Sequence, residues 1–286
     1  MSPYMRPASW CVAFAVAIFG LQLPAAGQLP LAPGQDRGRT VTPAFEGWYP
    51  NPDGTFSLSF GYYNRNLDEV LDIPAGPNNR VEPGPPDQGQ PTHFETRRRW
   101  GVFTVVVPKD FGTKEVFWTI VSRGQTLTIP GNLKREWMID AISGDANGNK
   151  PPVIKLAETG PTGQGPRGVT AQPMTARVSE PLSLAVWATD DGVGSRVPAA
   201  ASRRGGEEER QAPPLSLSWV LHSGPADVKF SDPKPKLQGI DVKATTTATF
   251  AKPGDYVLRV HATDISGEDG SNQCCWTNGY VRVQVK

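Results

Sequence analysis

The chain has 286 residues, of which 38% are hydrophobic and 9% are aromatic, enough to build the cores of one or two domains. Its 29 basic and 28 acidic residues give a formal net charge of +1. This balance argues against nucleic acid or an anionic membrane surface as the main partner. The basic cluster from Arg97 to Arg99 is interpreted as the solvated edge of a loop.

The N-terminus has the pattern of a secretory signal peptide. Arg6 is the only charge before the apolar run CVAFAVAIFGLQLP, and small residues follow in AAGQ. The run is too short to span a membrane, and no later segment is apolar enough to do so. We therefore assign residues 1–27 to a signal peptide and expect a secreted or periplasmic protein. Loss of Arg6 lowers the basic residues from 29 to 28, equal to the 28 acidic ones.

The first half alternates hydrophobic and polar residues as β-strands do. The stretch TFSLSFGYY places Phe56, Leu58 and Phe60 on one face, and the turn sequence NPDG precedes it. GVFTVVV and EVFWTIVS are further strands, and Arg-Gly at 123–124 predicts a tight hairpin into QTLTIP. We therefore predict one antiparallel β domain over residues 40–146. The segment FEGWYPNPDGTFSLSFGYYNRN resembles uncharacterised exported bacterial proteins, a resemblance that implies no function.

A Pro-rich segment, PAGPNNRVEPGPPDQGQPTHFETRRR, separates the early strands from the later ones. Its prolines are interpreted as excluding regular helix and sheet, which predicts a long loop, either ordered or mobile. His93 lies in this segment near Asp87 and Glu95, and Asp68 precedes it. These residue types suit a metal or acid/base site, although their spacing matches no specific motif.

After the linker SGDANGNKPP, the second half contains its own strands. PLSLAVWATDDG, the strand around Trp219 and KPGDYVLRVHATD make residues 152–286 resemble the polycystic-kidney-disease (PKD) domain and related Ig-like modules. The resemblance implies a seven-stranded β-sandwich, with Pro253, Gly254 and Tyr256 at the corner before the penultimate strand. A charged insert at about 193–212 lacks large apolar residues and is predicted to be disordered. The expected fold is all-β, with two antiparallel β-sandwich-like domains, the second PKD/Ig-like.

Two strands of the second half end in similar acidic sequences, AVWATDD and RVHATD. In an Ig-like sandwich these strands run the same way in facing sheets, so Asp190, Asp191 and Asp264 would gather at one pole. Glu268 and Asp269 in the following loop could join them. Calcium takes six to eight oxygen ligands, which such residues supply, and it is the one cofactor that the sequence indicates. Alternatively, these aspartates cap turns.

Aromatic residues next to loops are candidates for stacking on sugar rings or docking of a partner. The candidate residues are Trp48, Tyr49, Tyr63 and Trp276. Other tryptophans lie within apolar strands and are predicted to be core residues. These core tryptophans are Trp118, Trp187 and Trp219.

Three common enzyme motifs are absent from the sequence: it has no GxSxG, HExxH or P-loop pattern. We therefore predict an exported, non-catalytic binding or adhesion protein that recognises carbohydrate or a protein partner outside the cytoplasm. The alternative is a secreted hydrolase whose site lies in the N-terminal domain near the Pro-rich segment. Convergence of His93, Asp87, Glu95 and Asp68 in one deep pocket would favour the enzyme.

The last two cysteines, Cys274 and Cys275, are neighbours, and they are the only cysteines left after the signal peptide. In an oxidising compartment they can bond to each other, bond to another chain or stay free. Consecutive Cα atoms lie ~3.8 Å apart, below the ~4.4–6.8 Å of unstrained disulfides. A bond between neighbours is therefore strained and reducible. We predict this vicinal disulfide, which would stiffen the loop before the last strand.

Intact mass measurement tests the vicinal disulfide. The oxidised monomer is expected to be lighter than the fully reduced monomer by two hydrogens. A monomer with two alkylatable thiols, or a disulfide-linked dimer, would contradict the bond between Cys274 and Cys275.

Overall fold

A computed structural model describes residues 35–139, 148–193, 215–264 and 275–286. The predicted signal peptide lies outside these ranges, as does nearly all of the predicted insert at 193–212. The residues from Gly34 to Lys286 form one compact unit. The described ranges hold no helix with the length and hydropathy that a membrane crossing requires.

The described part of the first half contains eight strands. They are β1 (Val41–Pro50), β2 (Phe56–Asn64), β3 (Leu71–Asp72), β4 (Asn79–Glu82), β5 (His93–Phe94), β6 (Arg97–Val107), β7 (Val116–Ser122) and β8 (Gln125–Gly131). Two sheets have the strand orders β1-β2-β6 and β4-β7-β8, and β3 pairs with β5. All these pairings are antiparallel, as predicted. A 3₁₀ helix, Arg135–Trp137, follows β8.

The two three-stranded sheets face each other across a shared hydrophobic core. Leu58 and Phe60 of β2 point into it, as their alternation predicts, and Trp118 of β7 is fully buried opposite them. The Trp118 ring meets the Phe103 ring edge-on, with 4.9 Å between centroids, a favourable aromatic geometry. Two sheets around one core make the first half β-sandwich-like.

The second half adds ten strands within its described residues. They are β9 (Val153–Lys155), β10 (Thr162–Gln164), β11 (Val169–Thr170), β12 (Met174–Ala176), β13 (Leu182–Thr189), β14 (Leu215–Ser223), β15 (Val228–Phe230), β16 (Asp241–Phe250), β17 (Gly254–Asp264) and β18 (Trp276–Val285). One sheet has the order β10-β9-β13-β16-β15, and the other has the order β11-β18-β17-β14. The long pairings are antiparallel, while β11 and β12 add to β18 in parallel.

Three features make the second half an Ig-like sandwich. Its sheets contain the orders β9-β13-β16-β15 and β14-β17-β18, which match the ABED and CFG sheets of the immunoglobulin fold. Trp219 is buried on β14, at the place of the Ig core tryptophan. The Tyr256 hydroxyl donates to the Lys252 carbonyl at 2.9 Å and forms a tyrosine corner before β17. This topology confirms an Ig-like sandwich without singling out the PKD family.

Two expectations about single segments are wrong. The Pro-rich segment does contain regular sheet: Asn79–Glu82 pairs with β7, because this short run between prolines keeps its backbone N–H groups. The cluster from Arg97 to Arg99 begins β6 instead of edging a loop.

Arg98 forms an ion pair with Glu46, whose side chain is 1% exposed. Burial raises the pKa of Glu46 to about 7, although the Arg98 charge opposes that shift.

Each half has its own hydrophobic core, and hydrogen bonds join the halves along a boundary that we call the seam. The fully buried Asn278 of β18 donates through its amide to the Gly101 and Pro166 carbonyls, at 2.5 and 2.9 Å. The Tyr280 hydroxyl donates to the Val102 carbonyl at 2.8 Å. Two cores favour the predicted division into domains, which stays a prediction because the seam holds both halves in one unit.

Replacement of Asn278 by alanine tests the seam. The Asn278→Ala change leaves two buried carbonyls without donors, so we expect the free energy of unfolding to fall by about 2–4 kcal/mol. Equilibrium unfolding in urea measures this loss. The matched control is Asn78→Ala, since Asn78 is exposed and its loss should change stability by less than about 0.5 kcal/mol. Equal stability of both variants would contradict the role of Asn278.

Candidate functional site

A cleft of about 530 Å³ opens at the seam, with walls from both halves. The first half contributes residues 87–90 of the Pro-rich segment and Phe103–Thr104 of β6. The second half contributes Arg167, Thr170 and residues of β14, β17 and β18. The volume lies within the usual range of small-molecule sites, ~300–1,000 Å³. The cleft is therefore large enough to hold a ligand.

Side-chain amides order the Pro-rich wall of the cleft. Prolines lack backbone N–H groups, so this segment has more carbonyl acceptors than backbone donors. The Asn79 amide donates to the Ile73 and Pro91 carbonyls at 2.9 and 2.7 Å. Gln90 donates to Pro86 at 2.6 Å, and Gln88 donates to three further carbonyls. Side-chain hydrogen bonds therefore hold this wall in a defined conformation. The Asn and Gln residues among the prolines are the sequence feature that could have predicted it.

Hydrogen bonds attach this wall to β14. The Thr92 N–H donates to the His222 carbonyl at 3.0 Å, and the Thr92 hydroxyl donates to the Ser223 hydroxyl at 3.1 Å. His222 is 4% exposed, and its Nε2–H donates to the Gly89 carbonyl at 2.9 Å. Burial and then the Arg259 charge lower the pKa of His222 to about 3, so its ring is neutral at physiological pH. His222 thus fixes the wall and is not poised to act as an acid or a base.

The accessible lining of the cleft is polar and carries net positive charge. Arg167 and Arg282 are exposed at its rim, and neither forms an ion pair with a described residue. Asp87 is the acidic residue among the lining groups, and its carboxylate accepts the Gly89 N–H at 2.9 Å. Behind the lining, Arg259 is 5% exposed and adds a buried positive charge. The arrangement favours a polar ligand that carries negative charge.

The residues of the enzyme alternative do not converge in this cleft. His93 contacts the Asp72 carboxylate at 2.8 Å, and Glu95 forms an ion pair with Arg99 at 3.0 Å. Asp68 is exposed, and only Asp87 of the four lines the cleft. Their separation argues against a hydrolase site built from this set.

The predicted aromatic residues occupy different places. Tyr49 is 5% exposed, and its hydroxyl accepts the Arg167 N–H at 2.9 Å across the seam. Trp276 is 2% exposed and packs against Gly101, so its ring is not open to the predicted stacking on a sugar or docking of a partner. Each ring fills the seam, a burial that sequence reasoning could not foresee because its partner lies in the other half.

Trp48 and Tyr63 lie towards opposite ends of the β1–β2 pair. Tyr63 is 46% exposed and pairs with Thr42, which is six residues, or about 20 Å, from Trp48 along β1. The Trp48 indole is half-buried and donates to the Lys134 carbonyl at 2.7 Å. The two rings do not share one surface, and a binding role for either stays a prediction.

Of the three aspartates predicted to gather at one pole, Asp190 and Asp264 lie close enough for their charges to interact. Asp190 and Asp264 are each 6% exposed, and burial raises the pKa of Asp190 to about 6, helped by the Asp264 charge. The Asp190 carboxylate accepts the Gly192 N–H at 2.8 Å, while its other oxygen is buried without a hydrogen-bond partner. Asp264 accepts the Asn149 amide at 2.9 Å. We call Asp190, Asp191 and Asp264 the acidic pole.

The remaining residues of the predicted calcium site and of the predicted disulfide are only partly described. Glu268, Asp269 and Cys274 lie outside the described residues. Cys275 is fully buried, and its carbonyl accepts the Asp264 N–H at 3.3 Å, which places it at the acidic pole. The bond between Cys274 and Cys275 stays a prediction.

No known protein family and no curated protein matches the sequence. Among solved structures, the D00–D0 domain of intimin is similar over 85% of this chain and 99% of that chain, at 12% identity and a TM-score of 0.26. Fibronectin(III)-like modules of CbhA from Clostridium thermocellum match over 86% and 94%, at 12% identity and a TM-score of 0.22. WR4, an MSP family member of C. elegans, matches over 39% and 92%, at 6% identity and a TM-score of 0.22. Similarities this low carry no argument about fold or function.

Calorimetry with Ca²⁺ tests the acidic pole. We expect the protein to bind Ca²⁺ and the Asp190→Asn and Asp264→Asn variants to lose binding, because each removes a charged ligand. Asp255→Asn is the matched control, since Asp255 is exposed at the opposite end of β17 from Asp264. Absence of heat in the unsubstituted protein would rule the site out and leave turn capping as the role of these aspartates.

Proposed function

We propose that the protein acts outside the cytoplasm as a non-catalytic binding protein that holds an acidic carbohydrate in the cleft. The observation that carries this proposal is the pair Arg167 and Arg282 at the rim of a cavity of about 530 Å³. Both guanidinium groups are exposed and lack an ion-pair partner among the described residues. Each can therefore donate charge-assisted hydrogen bonds to a carboxylate or sulfate group.

The remaining lining favours a sugar over an apolar molecule. Thr104, Thr170 and Ser223 supply hydroxyl groups, and Gln88 supplies an amide oxygen while its amide N–H groups hold the wall. Hydroxyl and amide groups both donate and accept hydrogen bonds, as the hydroxyls of a sugar do. Pockets for apolar small molecules are lined predominantly by hydrophobic side chains. Here Phe103 is buried to 2% exposure, so the apolar surface open to a ligand comes from the half-buried Val257 and Tyr280.

The fixed walls of the cleft also favour a binding role over a catalytic one. The amides of the Pro-rich segment and His222 hold one wall in place before any ligand arrives. A preformed site avoids the entropy cost of ordering its loops on binding. Among the described residues that line the cleft there is no pair of acid and base groups, since His222 is neutral and Asp87 is the one acidic residue of that set.

A glycan array that carries acidic and neutral saccharides tests the proposal with the purified protein. We expect binding to carboxylated or sulfated glycans that weakens as salt is added, because salt screens exposed charges. The Arg167→Gln/Arg282→Gln double variant is expected to bind about tenfold more weakly or worse, since hydrogen bonds to charged groups contribute ~1.5–3 kcal/mol.

Arg177→Gln is the matched control, because Arg177 is an exposed arginine that does not line the cleft. This variant should retain full binding. Equal binding by the double variant and the control would contradict a role for the cleft. Absence of binding to every glycan would overturn the carbohydrate proposal itself, and capture of a protein partner through the same arginines would replace it.

A further inference from the structure

We propose that Asp72, His93 and Asp227 bind a divalent transition-metal ion such as Zn²⁺, which clamps the first half of the chain to the second. One ligand atom from each residue lies within 4.8 Å of the other two. Asp72 and His93 belong to the first half, and Asp227 belongs to the turn between β14 and β15. The site lies outside the lining of the cleft and does not depend on the carbohydrate proposal.

The sheet places the first two donors side by side. Asp72 and His93 are direct partners in the antiparallel β3–β5 pair, which brings their side chains to the same face. The His93 Nδ1 atom lies 2.8 Å from the Asp72 carboxylate. The His93 side chain is 10% exposed, while that of Asp72 is 65% exposed. The imidazole is thus held against the protein, and the carboxylate leaves a route for an ion to enter.

Hydrogen bonds hold this pair against the turn that carries Asp227. The Ile73 N–H donates to the Thr92 carbonyl at 2.8 Å, and the Thr92 N–H donates to the His222 carbonyl at 3.0 Å. The Thr92 hydroxyl donates to Ser223, which ends β14 just before the turn. The backbone therefore brings the three donors together without a metal ion, which reduces the entropy cost of binding.

The donor set fits zinc and related ions better than calcium or magnesium. Imidazole nitrogen suits Zn²⁺, Cu²⁺ and Ni²⁺, whereas Ca²⁺ and Mg²⁺ prefer oxygen ligands alone. Ligand atoms ~2.0–2.2 Å from a tetrahedral zinc ion lie about 3–3.5 Å from one another. Small side-chain rotations reach that spacing from the observed limit of 4.8 Å. Three protein ligands leave a fourth position for water or another ligand.

The charges of the three residues also favour a cation. Two carboxylates face one imidazole, so the carboxylates outnumber the one group of the cluster that can carry a positive charge. Asp227 is exposed and forms no ion pair with a lysine or arginine of the described residues. A divalent ion neutralises both carboxylates at once, and it links segments that are otherwise joined by hydrogen bonds at Thr92.

The small number of histidines makes a test of Zn²⁺ binding easy to interpret. The chain has three histidines, and His222 and His261 are each 4% exposed. Zn²⁺ titration by calorimetry, followed by NMR of the histidine side chains, is expected to show one ion per chain and a shift of the His93 ring signals alone. Zn²⁺ is also expected to raise the thermal unfolding midpoint, because it binds the folded chain and not the separated donors.

Variants decide between this site and adventitious binding. His93→Gln and Asp227→Asn are each expected to weaken Zn²⁺ binding at least about tenfold and to abolish the rise in midpoint. Asp227 is exposed, so its change to Asn preserves shape and folding. Asp110→Asn, an exposed aspartate in the β6–β7 turn, is the matched control and should bind as the unsubstituted protein does. Absence of Zn²⁺ binding, or binding that survives both variants, would overturn the proposal.

Discussion

The buried amide of Asn278 is the constraint on which the arrangement of the two halves depends. A carboxamide with no exposure must satisfy its hydrogen bonds within the protein, because an unpaired buried polar group costs about 1–3 kcal/mol. It does so by donating to one carbonyl of β6 and one of the β10–β11 connection, while its oxygen accepts from His261 at 3.0 Å. Directional bonds of this kind fix the register between two cores that hydrophobic packing alone would leave free to slide.

The cleft follows from the same constraint. Where β18 meets β6 the halves are in close contact, and Trp276 fills the space above Gly101, where a larger residue would have no room. Further along β18, Arg282 is exposed and lines the cleft between the halves. The Pro-rich wall closes its far side. The cleft thus lies beyond the close contact of Trp276 with Gly101, and the exposed Arg282 contributes to its polarity.

Local sequence patterns predicted the strands well and the contacts between halves poorly. The alternation in β2 and the Pro-Gly-x-Tyr corner report on neighbours close in the chain, and both were correct. Trp187 shows the limit: it was predicted to be a core residue, which is wrong, because its ring lies on the outer face of β13 with the Lys243 ammonium 4.7 Å from its centroid. The alternation of β13 places Ser183 and Thr189 on that same outer face, so a large aromatic ring does not by itself mark a core position.

The candidate site was the least predictable part, because its residues converge from distant segments. Arg167 and Arg282 lie 115 positions apart in the sequence, and nothing local to either one marks it as a ligand contact.

The attachment of Thr92 to β14 has a consequence beyond binding. β14 is the edge strand of its sheet, and exposed edges recruit strands from other molecules and start aggregation. Bonds from Thr92 to the His222 carbonyl and from Trp219 to the Pro233 carbonyl occupy that edge, so the Pro-rich segment and the residues after β15 shield it from the strands of other molecules.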